Sequence, residues 1–487
     1  MPNRRPTYST AALWAVAFAL LLAMHGPYLS LPYFWDELGQ FVPQALDLYR
    51  EGRWIPVHTM PNVHPPGLEA LLAMEWVIIR GPSIPASRIL ILAIAAFGLV
   101  GSFLLAIRLS RRAPGAPAFA AVLLLLGSPL FYTQSMMVQL DMPAMAFSVW
   151  ALLYFLDGRV RESVALATLA VLMKETAVIL PVVLGGWLLI RDRNVRRAAL
   201  YLIPCAALTF WIGLLWRSTG HLLGDAQFSQ YNTLYSLHPV RLTIALFRRV
   251  FYLFFAEFRW IGTFALVWAW RRTAWLRTPE WAVTGLFAAL HTVAVSAFGG
   301  AVLERYLCPV LPILFAAFAI AWMSLEGRLR IFVPGVALIG SLLSLVWNPP
   351  YPSAYENNLA MTDMVAIHKL AADYLAADPS IKTVATAWPL TDALRRPEFG
   401  YVSKPIEVVE LHDFRTANLK YAQDQRLDAL VVYSRRSVPR NFDPIRKFLE
   451  RYYDDAPQAT SSEIEAALGL YPKFRWEHRG MWVEVYR

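Results

Sequence analysis

Trp35-Asp36-Glu37 places two adjacent carboxylates among aromatic residues, directly behind the first long apolar run of the chain. A carboxylate at membrane depth costs several kcal/mol and is seldom kept without a use. Such a pair can serve as general base on an acceptor hydroxyl or amine. Following Pro32, it equally suits the start of a helix, where acidic side chains oppose the positive dipole end. Asp141, in Gln139-Leu140-Asp141-Met142-Pro143, is a lone acid ahead of a proline-started helix; it can cap that helix or serve a site. Lys174 and Arg305 are lone cations in apolar stretches. Each needs an anion, either a neighbouring carboxylate (Glu175, Glu304) or a lipid phosphate, unless it snorkels to the headgroups. Arg305-Tyr306 sets a forked guanidinium beside a phenol, which suits phosphate or pyrophosphate. His64, in Val63-His64-Pro65-Pro66, reads as a helix cap or a site residue, and Arg88 as an interfacial anchor or a site residue.

Other chemistries lack their motifs. His58 and His64 are six apart with Pro61 between, which is not a metal-ligand spacing. No Gly-rich phosphate loop, Ser-centred elbow or Cys/His pattern occurs. No metal ligand is assigned, although acids and histidines near a phosphate permit a divalent ion.

The elements that must position these residues are membrane helices. The 487 residues are 57% hydrophobic and only 16% charged, against about 25% charged in a soluble domain. Apolar runs of roughly 18 or more residues recur, as in a polytopic membrane protein. The net charge of +10 does not indicate nucleic acid, because Lys and Arg cluster between the apolar segments as cytoplasmic anchors do. Cys205 and Cys308 lie in or beside apolar runs, so no disulfide framework is expected.

Basic flanks orient the spans. Arg4 and Arg5 precede a first, uncleaved span at 11–29, followed by an outer stretch, 30–86, with two short interfacial helices. Spans follow at 87–107, 116–134 and 142–156. The stretch 163–190 has basic clusters at both ends, Arg159 and Arg161 before and Arg191 to Arg197 after. It therefore goes out and returns, as two short helices with Lys174-Glu175 at the outer turn. Spans at 198–216, 251–270, 280–298, 306–324 and 331–347 complete about eleven. The transmembrane domain is thus 1–347, and 348–487 is a soluble extracytoplasmic domain. There, strand-length runs at 382–387, 406–411 and 427–433 alternate with helical patterns at 359–376 and 443–453, as in a small α/β domain. With the N-terminus cytoplasmic, Asp36, Glu37, His64, Arg88, Asp141, Lys174 and Arg305 all fall on the outer side. One side is what a single site requires. A transporter or lipid-linked-substrate flippase, the competing class, predicts charges on both sides and internal repeats, and the sequence has neither.

The motifs then resemble a known family. A first span followed by Asp36-Glu37 is similar to the C-type (GT-C fold) membrane glycosyltransferases, in the branch of protein O-mannosyltransferases and the lipid A aminoarabinose transferase. His64-Pro65-Pro66, Leu140-Asp141-Met142-Pro143, Leu172-Met173-Lys174-Glu175 with Pro181, and Arg305-Tyr306 with Pro309 and Pro312 carry the resemblance over residues 10–325. It implies a sugar moved with inversion from a polyprenyl-phosphate donor to a lipid, glycan or protein acceptor, at the outer leaflet of the cell (inner) membrane. It also implies Asp36 as base or acceptor-orienting carboxylate with Glu37 beside it, Lys174 and Arg305 on the leaving phosphate with His64 near, and Asp141 on acceptor or sugar. Many relatives have Lys-Gly-Pro where this chain has Lys174-Glu175-Thr176, and Glu175 there would neutralise Lys174.

Overall fold

Long apolar segments in lipid can satisfy their backbone hydrogen bonds internally only as helices or closed barrels, and this chain uses helices. The structure, a computed structural model, describes residues 9–110, 115–230, 234–272, 274–347, 356–435, 443–454 and 457–487. Arg4 and Arg5, used above to orient the first span, lie outside them. The described chain falls into two compact units, the first comprising Met1–Leu29, Pro43–Gly81 and Ala86–Leu345.

The first unit is built from α1 (Thr10–His25), α2 (Val42–Glu51), α3 (Gly67–Ile79), α4 (Ile84–Ser110), α5 (Ala116–Gly127), α6 (Pro129–Met136), α7 (Asp141–Leu156), α8 (Val160–Met173) and α9 (Ile179–Ile190). It continues with α10 (Val195–Leu200), α11 (Leu202–Thr219), α12 (Ala226–Ser229), α13 (Pro239–Phe254), α14 (Trp260–Arg272), α15 (Pro279–Phe298), α16 (Leu311–Trp322) and α17 (Leu329–Val346). Among the described residues, six helices are long and apolar enough to cross a bilayer, and three shorter apolar helices accompany them. Val16, Ile190, Phe210 and Ile331 stand exposed on outer helix faces, where lipid would cover them.

Two local features set the position of the polar residues. Lys174 is extended (φ −155°, ψ 130°) between α8 and a short 3-10 turn, Glu175–Val178, that leads into α9. Val160 at the start of α8 and Trp187 and Arg191 at the end of α9 line one polar cleft with Arg108 and Glu280. The chain therefore turns back at Lys174-Glu175, as the basic flanks require. The expected span 251–270 is broken instead. Helix α13 runs to Phe254, Glu257 and Phe258 take positive φ, and α14 begins at Trp260. Polar side chains explain the break: buried Arg259 binds the Glu257 carboxylate at 2.6 Å and donates to the Tyr252 carbonyl at 2.9 Å.

The second unit comprises Ser30–Val42, Pro82–Pro85 and Val346–Arg487. Its five-stranded sheet has the order β2-β1-β3-β5-β4, from β1 (Thr383–Ala387), β2 (Glu407–Leu411), β3 (Ala429–Tyr433), β4 (Pro472–His478) and β5 (Met481–Tyr486). Strands β1, β2 and β3 are parallel, and β5 joins β3 antiparallel. Helix α18 (Ala360–Ala377) covers the sheet, with Tyr374 edge-on to Phe474 at 4.5 Å. The three parallel strands fall on the expected runs. The β4–β5 hairpin was not foreseen, since Lys473, Arg475 and Glu477 make β4 look like solvated chain. Its signal was Arg479-Gly480, both with positive φ, as a tight hairpin turn needs.

His368 on α18 is buried against Tyr433, ring centroids 4.7 Å apart. Burial lowers its pKa from 6.5 to about 3, so the folded unit keeps it neutral while the unfolded chain protonates below pH 6.5. Stability conferred by the neutral ring is complete above pH 6.5 and declines on acidification, by about 1.4 kcal/mol per pH unit from one proton. His368→Phe should flatten the pH dependence by that amount between pH 6 and 4, read from urea midpoints of the full-length protein.

Candidate active site

Asp141 opens α7, one residue after Leu140 at the N-cap position, and its side chain makes no cap hydrogen bond. It is buried and faces cations instead. Lys174 Nζ lies 2.5 Å from its Oδ1, and Arg305 Nε lies 3.4 Å from its Oδ2. The break between α8 and the 3-10 turn points Lys174 inward. Arg305 and Tyr306 sit on a second 3-10 segment, Glu304–Val310, ahead of α16. Pro309 and Pro312 supply no backbone N–H there, which favours an irregular entry to the helix. Tyr306 is the hub: Lys174 Nζ stands 3.9 Å above its ring and the Arg305 guanidinium 5.7 Å from it. Its carbonyl is 2.9 Å from His291 Nε2 on α15.

The structure brings four of the expected residues together: Asp141, Lys174, Arg305 and Tyr306. His64 is tied to the residue next to Lys174, since its Nδ1 lies 2.6 Å from Glu175 Oε2. Glu175 is thus matched by His64, and Lys174 takes Asp141. The His64 loop is pressed onto the end of α8; a Cβ on Gly67 would come within 2.3 Å of the Leu172 carbonyl. Arg88 is fully buried on α4 and donates to the Met136 carbonyl at 2.5 Å, a tie between α4 and the end of α6.

One residue was missed. Arg249 on α13 is 1% exposed, and among the described residues none of its three guanidinium nitrogens has a hydrogen-bond partner. It lies 5.8 Å from the same Tyr306 ring. Burial lowers its pKa to about 10, opposed by Tyr306 and Glu304, so it stays charged at neutral pH. Its neighbour Arg248 turns outward and pairs with Glu304 at 2.9 Å. The signal available was two consecutive arginines in Phe247-Arg248-Arg249-Val250-Phe251, which point about 100° apart on a helix and so meet different surroundings. Three cations thus gather around the Tyr306 ring, with Asp141 shared by Lys174 and Arg305 and Glu304 acting on Arg249 through its charge. Removing ions from water costs several kcal/mol each, and this surplus of buried positive charge favours an anion.

Asp36 and Glu37 belong to the second unit. Glu37 is fully buried and accepts the Phe34 N–H at 2.7 Å. Its role is to close the turn. Asp36 is half-buried at the head of a π-helical turn, Glu37–Phe41, a rare form often found at functional positions.

Asp47, Glu51 and His58 have carboxylate and imidazole atoms close enough for a metal ion. Asp47 is already engaged: Oδ2 accepts the N–H groups of Val57 and His58 at 2.8 and 3.0 Å, and Oδ1 lies 2.7 Å from His58 Nδ1. That donor set fits a loop clasp rather than a cation cage.

Residues 63–216 match the family described as Dolichyl-phosphate-mannose-protein mannosyltransferase. No curated protein matches the chain in sequence. Among solved structures, the chain is similar to ArnT from Cupriavidus metallidurans bound to undecaprenyl phosphate, at 15% identity and TM-score 0.56, covering 98% of each chain. The fold is GT-C. The oligosaccharyltransferase of Archaeoglobus fulgidus, solved with zinc and sulfate, shares it at 12% identity and TM-score 0.51, over 86% of this chain and 68% of that one. The family match spans the part of this GT-C chain that carries His64, Arg88, Asp141 and Lys174; Arg249, Arg305 and Tyr306 lie beyond it.

Charge balance around Tyr306 sets an order among variants. Asp141→Asn removes the carboxylate that Lys174 and Arg305 share and should cost about 3–5 kcal/mol, as for a broken buried pair. Lys174→Met should cost less, because Arg305 still faces Asp141, and adding it to Asp141→Asn should restore part of the loss. Thermal unfolding in detergent micelles measures the order.

Proposed function

We propose that this protein is a membrane glycosyltransferase that moves a sugar from a polyprenyl-phosphate donor to an acceptor hydroxyl or amine on a lipid, glycan or protein. The observation that carries the reading is Arg249, a buried guanidinium without a protein acceptor, beside Lys174 and Arg305 around one phenol ring. A phosphate supplies the missing negative charge and matches the forked donors of arginine.

The same helix offers a place for the lipid tail. An apolar groove of about 420 Å³ runs between α13, α14, α15 and α16, lined by Leu246, Val250, Leu253, Val293 and Ile313. Leu246, Val250 and Leu253 flank Arg249 along α13, so a cationic grip and an apolar trough follow one another. A polyprenyl phosphate has that composition, and undecaprenyl phosphate is the ligand of the ArnT structure from Cupriavidus metallidurans.

In the proposed reaction Asp36 takes the proton of the acceptor, whose oxygen or nitrogen attacks the anomeric carbon. The bond from that carbon to the phosphate oxygen breaks with its electron pair, and polyprenyl phosphate leaves. One displacement inverts the anomeric configuration. Arg249, Lys174 and Arg305 stabilise the charge that grows on the leaving phosphate, the electrostatic part of the catalysis. Asp141 holds Lys174 and Arg305 in place. Arg108, Arg191 and Arg197 sit in a cleft at the other ends of α7 and α8 from Asp141 and Lys174. The positive-inside rule assigns that end to the cytoplasm, which puts the chemistry at the outer leaflet of the cell membrane.

Asp36→Asn should abolish transfer from a polyprenyl-phosphate sugar while leaving polyprenyl phosphate binding intact; full activity in a correctly inserted variant would remove Asp36 from the mechanism. Arg249→Gln should weaken polyprenyl phosphate binding by about 10- to 100-fold, the loss of a hydrogen bond to a charged group of roughly 1.5–3 kcal/mol. Titration of the purified protein with polyprenyl phosphate reads both.

A further inference from the structure

The acidic loop is held by the C-terminal α/β unit, in part at the carboxyl end of β1. Tyr33 donates its N–H to the Phe399 carbonyl at 3.1 Å, and its own carbonyl accepts the Tyr401 hydroxyl at 3.0 Å. Both backbone groups of a residue three before Asp36 are thus fixed by one short segment, 399–401. Trp35 stands edge-on to Trp388, centroids 4.9 Å apart at 70°. Trp388 directly follows β1, and its carbonyl accepts the Tyr433 hydroxyl from neighbouring β3. On the far side of Asp36, the backbone of Gly39 lies against the same indole; a Cβ there would come within 2.7 Å of Trp388 Nε1.

The loop is also strained. Trp35 has φ +51°, a conformation that costs a bulky L-residue of order 1–3 kcal/mol and persists only where the surroundings over-determine it. The irregular π-turn begins one residue later, with Asp36 at its head. Tyr33, Phe34, Glu37 and Leu38 are all buried while Asp36 is only half-buried. Everything around this carboxylate is anchored, and the strained backbone presents it. In open parallel sheets, the crevice beyond the carboxyl ends of the strands is the usual place for a ligand. Here the chain's own acidic loop lies against the residue that ends β1.

We infer that Trp388 and Tyr401 are positioning residues for Asp36, held with it in the same compact unit. This rests on the reading of Asp36 as base. Misplacing a catalytic group by about 1 Å can cost about a hundredfold in rate, and Trp388 fixes both the residue before Asp36 and the glycine one turn after it.

The test uses the full-length protein in lipid nanodiscs with a polyprenyl-phosphate sugar donor. Trp388→Ala should lower kcat by about 10- to 100-fold with KM for the donor within about twofold, and Trp388→Phe should recover most of it. Tyr401→Phe, which deletes one hydroxyl, should lower kcat less and speed hydrogen exchange at the Tyr33 amide. Gly39→Ala should lower kcat as Trp388→Ala does, and combining the two should not multiply their effects. Wild-type kcat in Trp388→Ala, with Asp36→Asn inactive, overturns the inference and leaves the base assignment standing. An active Asp36→Asn removes the base assignment instead. Unchanged Tyr33 exchange in both Trp388→Ala and Tyr401→Phe overturns the clamp by a measure independent of activity.

Discussion

Three buried cations around one tyrosine ring are the constraint on which the membrane unit depends. Asp141 pairs with both Lys174 and Arg305, and among the described residues no side chain or backbone group accepts a hydrogen bond from the Arg249 guanidinium. Such an arrangement is costly in an apolar interior. Four irregular elements exist to make it: the extended break at Lys174, the 3-10 segment at Glu304–Val310, the abrupt start of α7 at Asp141, and the apolar packing that swallows Arg249. None of these is a favourable choice for the local backbone alone, and their convergence on Tyr306 ties them to a common purpose.

The surplus charge also separates what is structural from what is available. His64 and Glu175 satisfy each other at 2.6 Å, Arg248 and Glu304 do the same at 2.9 Å, and Asp47 clasps His58. These contacts read as braces around the site. Arg249 stands apart because, among the described residues, nothing accepts a hydrogen bond from its guanidinium. A phosphate followed by a long apolar chain answers both its charge and the groove running along its helix. The GT-C fold is in keeping with that reading, and the physical case rests on the guanidinium.

Much of this was legible in the residues. The basic clusters at both ends of 163–190 demanded a turn at Lys174-Glu175, because one straight helix would have put arginines on the wrong side. Asp141, Lys174, Arg305 and Tyr306 were marked by type alone, as ionisable groups in apolar surroundings. The three parallel strands announced themselves as short apolar runs. Three features resisted. The break after Phe254 was hidden because Phe255 to Arg259 continues the apolar-aromatic character of α13, and only the buried pairing of Arg259 with Glu257 stops the helix. The β4–β5 hairpin was masked by charge on an edge strand, where charge deters edge-to-edge pairing. Arg249 was passed over because an Arg-Arg pair at the end of an amphipathic stretch looks like an interfacial anchor.

Sequence determined the class of protein, because hydropathy and the cost of charge in lipid act residue by residue and need no tertiary knowledge. It also selected Asp36, since two carboxylates behind a membrane helix are anomalous wherever the chain goes next. Partners were decided only by the tertiary structure. That Lys174 pairs with Asp141 rather than with Glu175 beside it depends on how α7 and α8 lie together. That Arg249 rather than Arg248 is buried depends on the rotation of α13. That the acidic loop is gripped by residues more than 350 positions away, with Tyr401 on the Tyr33 carbonyl, depends on a fold no local pattern encodes. Charge and apolarity are properties of single residues, whereas hydrogen-bond partners are properties of distances, and distances exist only once the chain has folded.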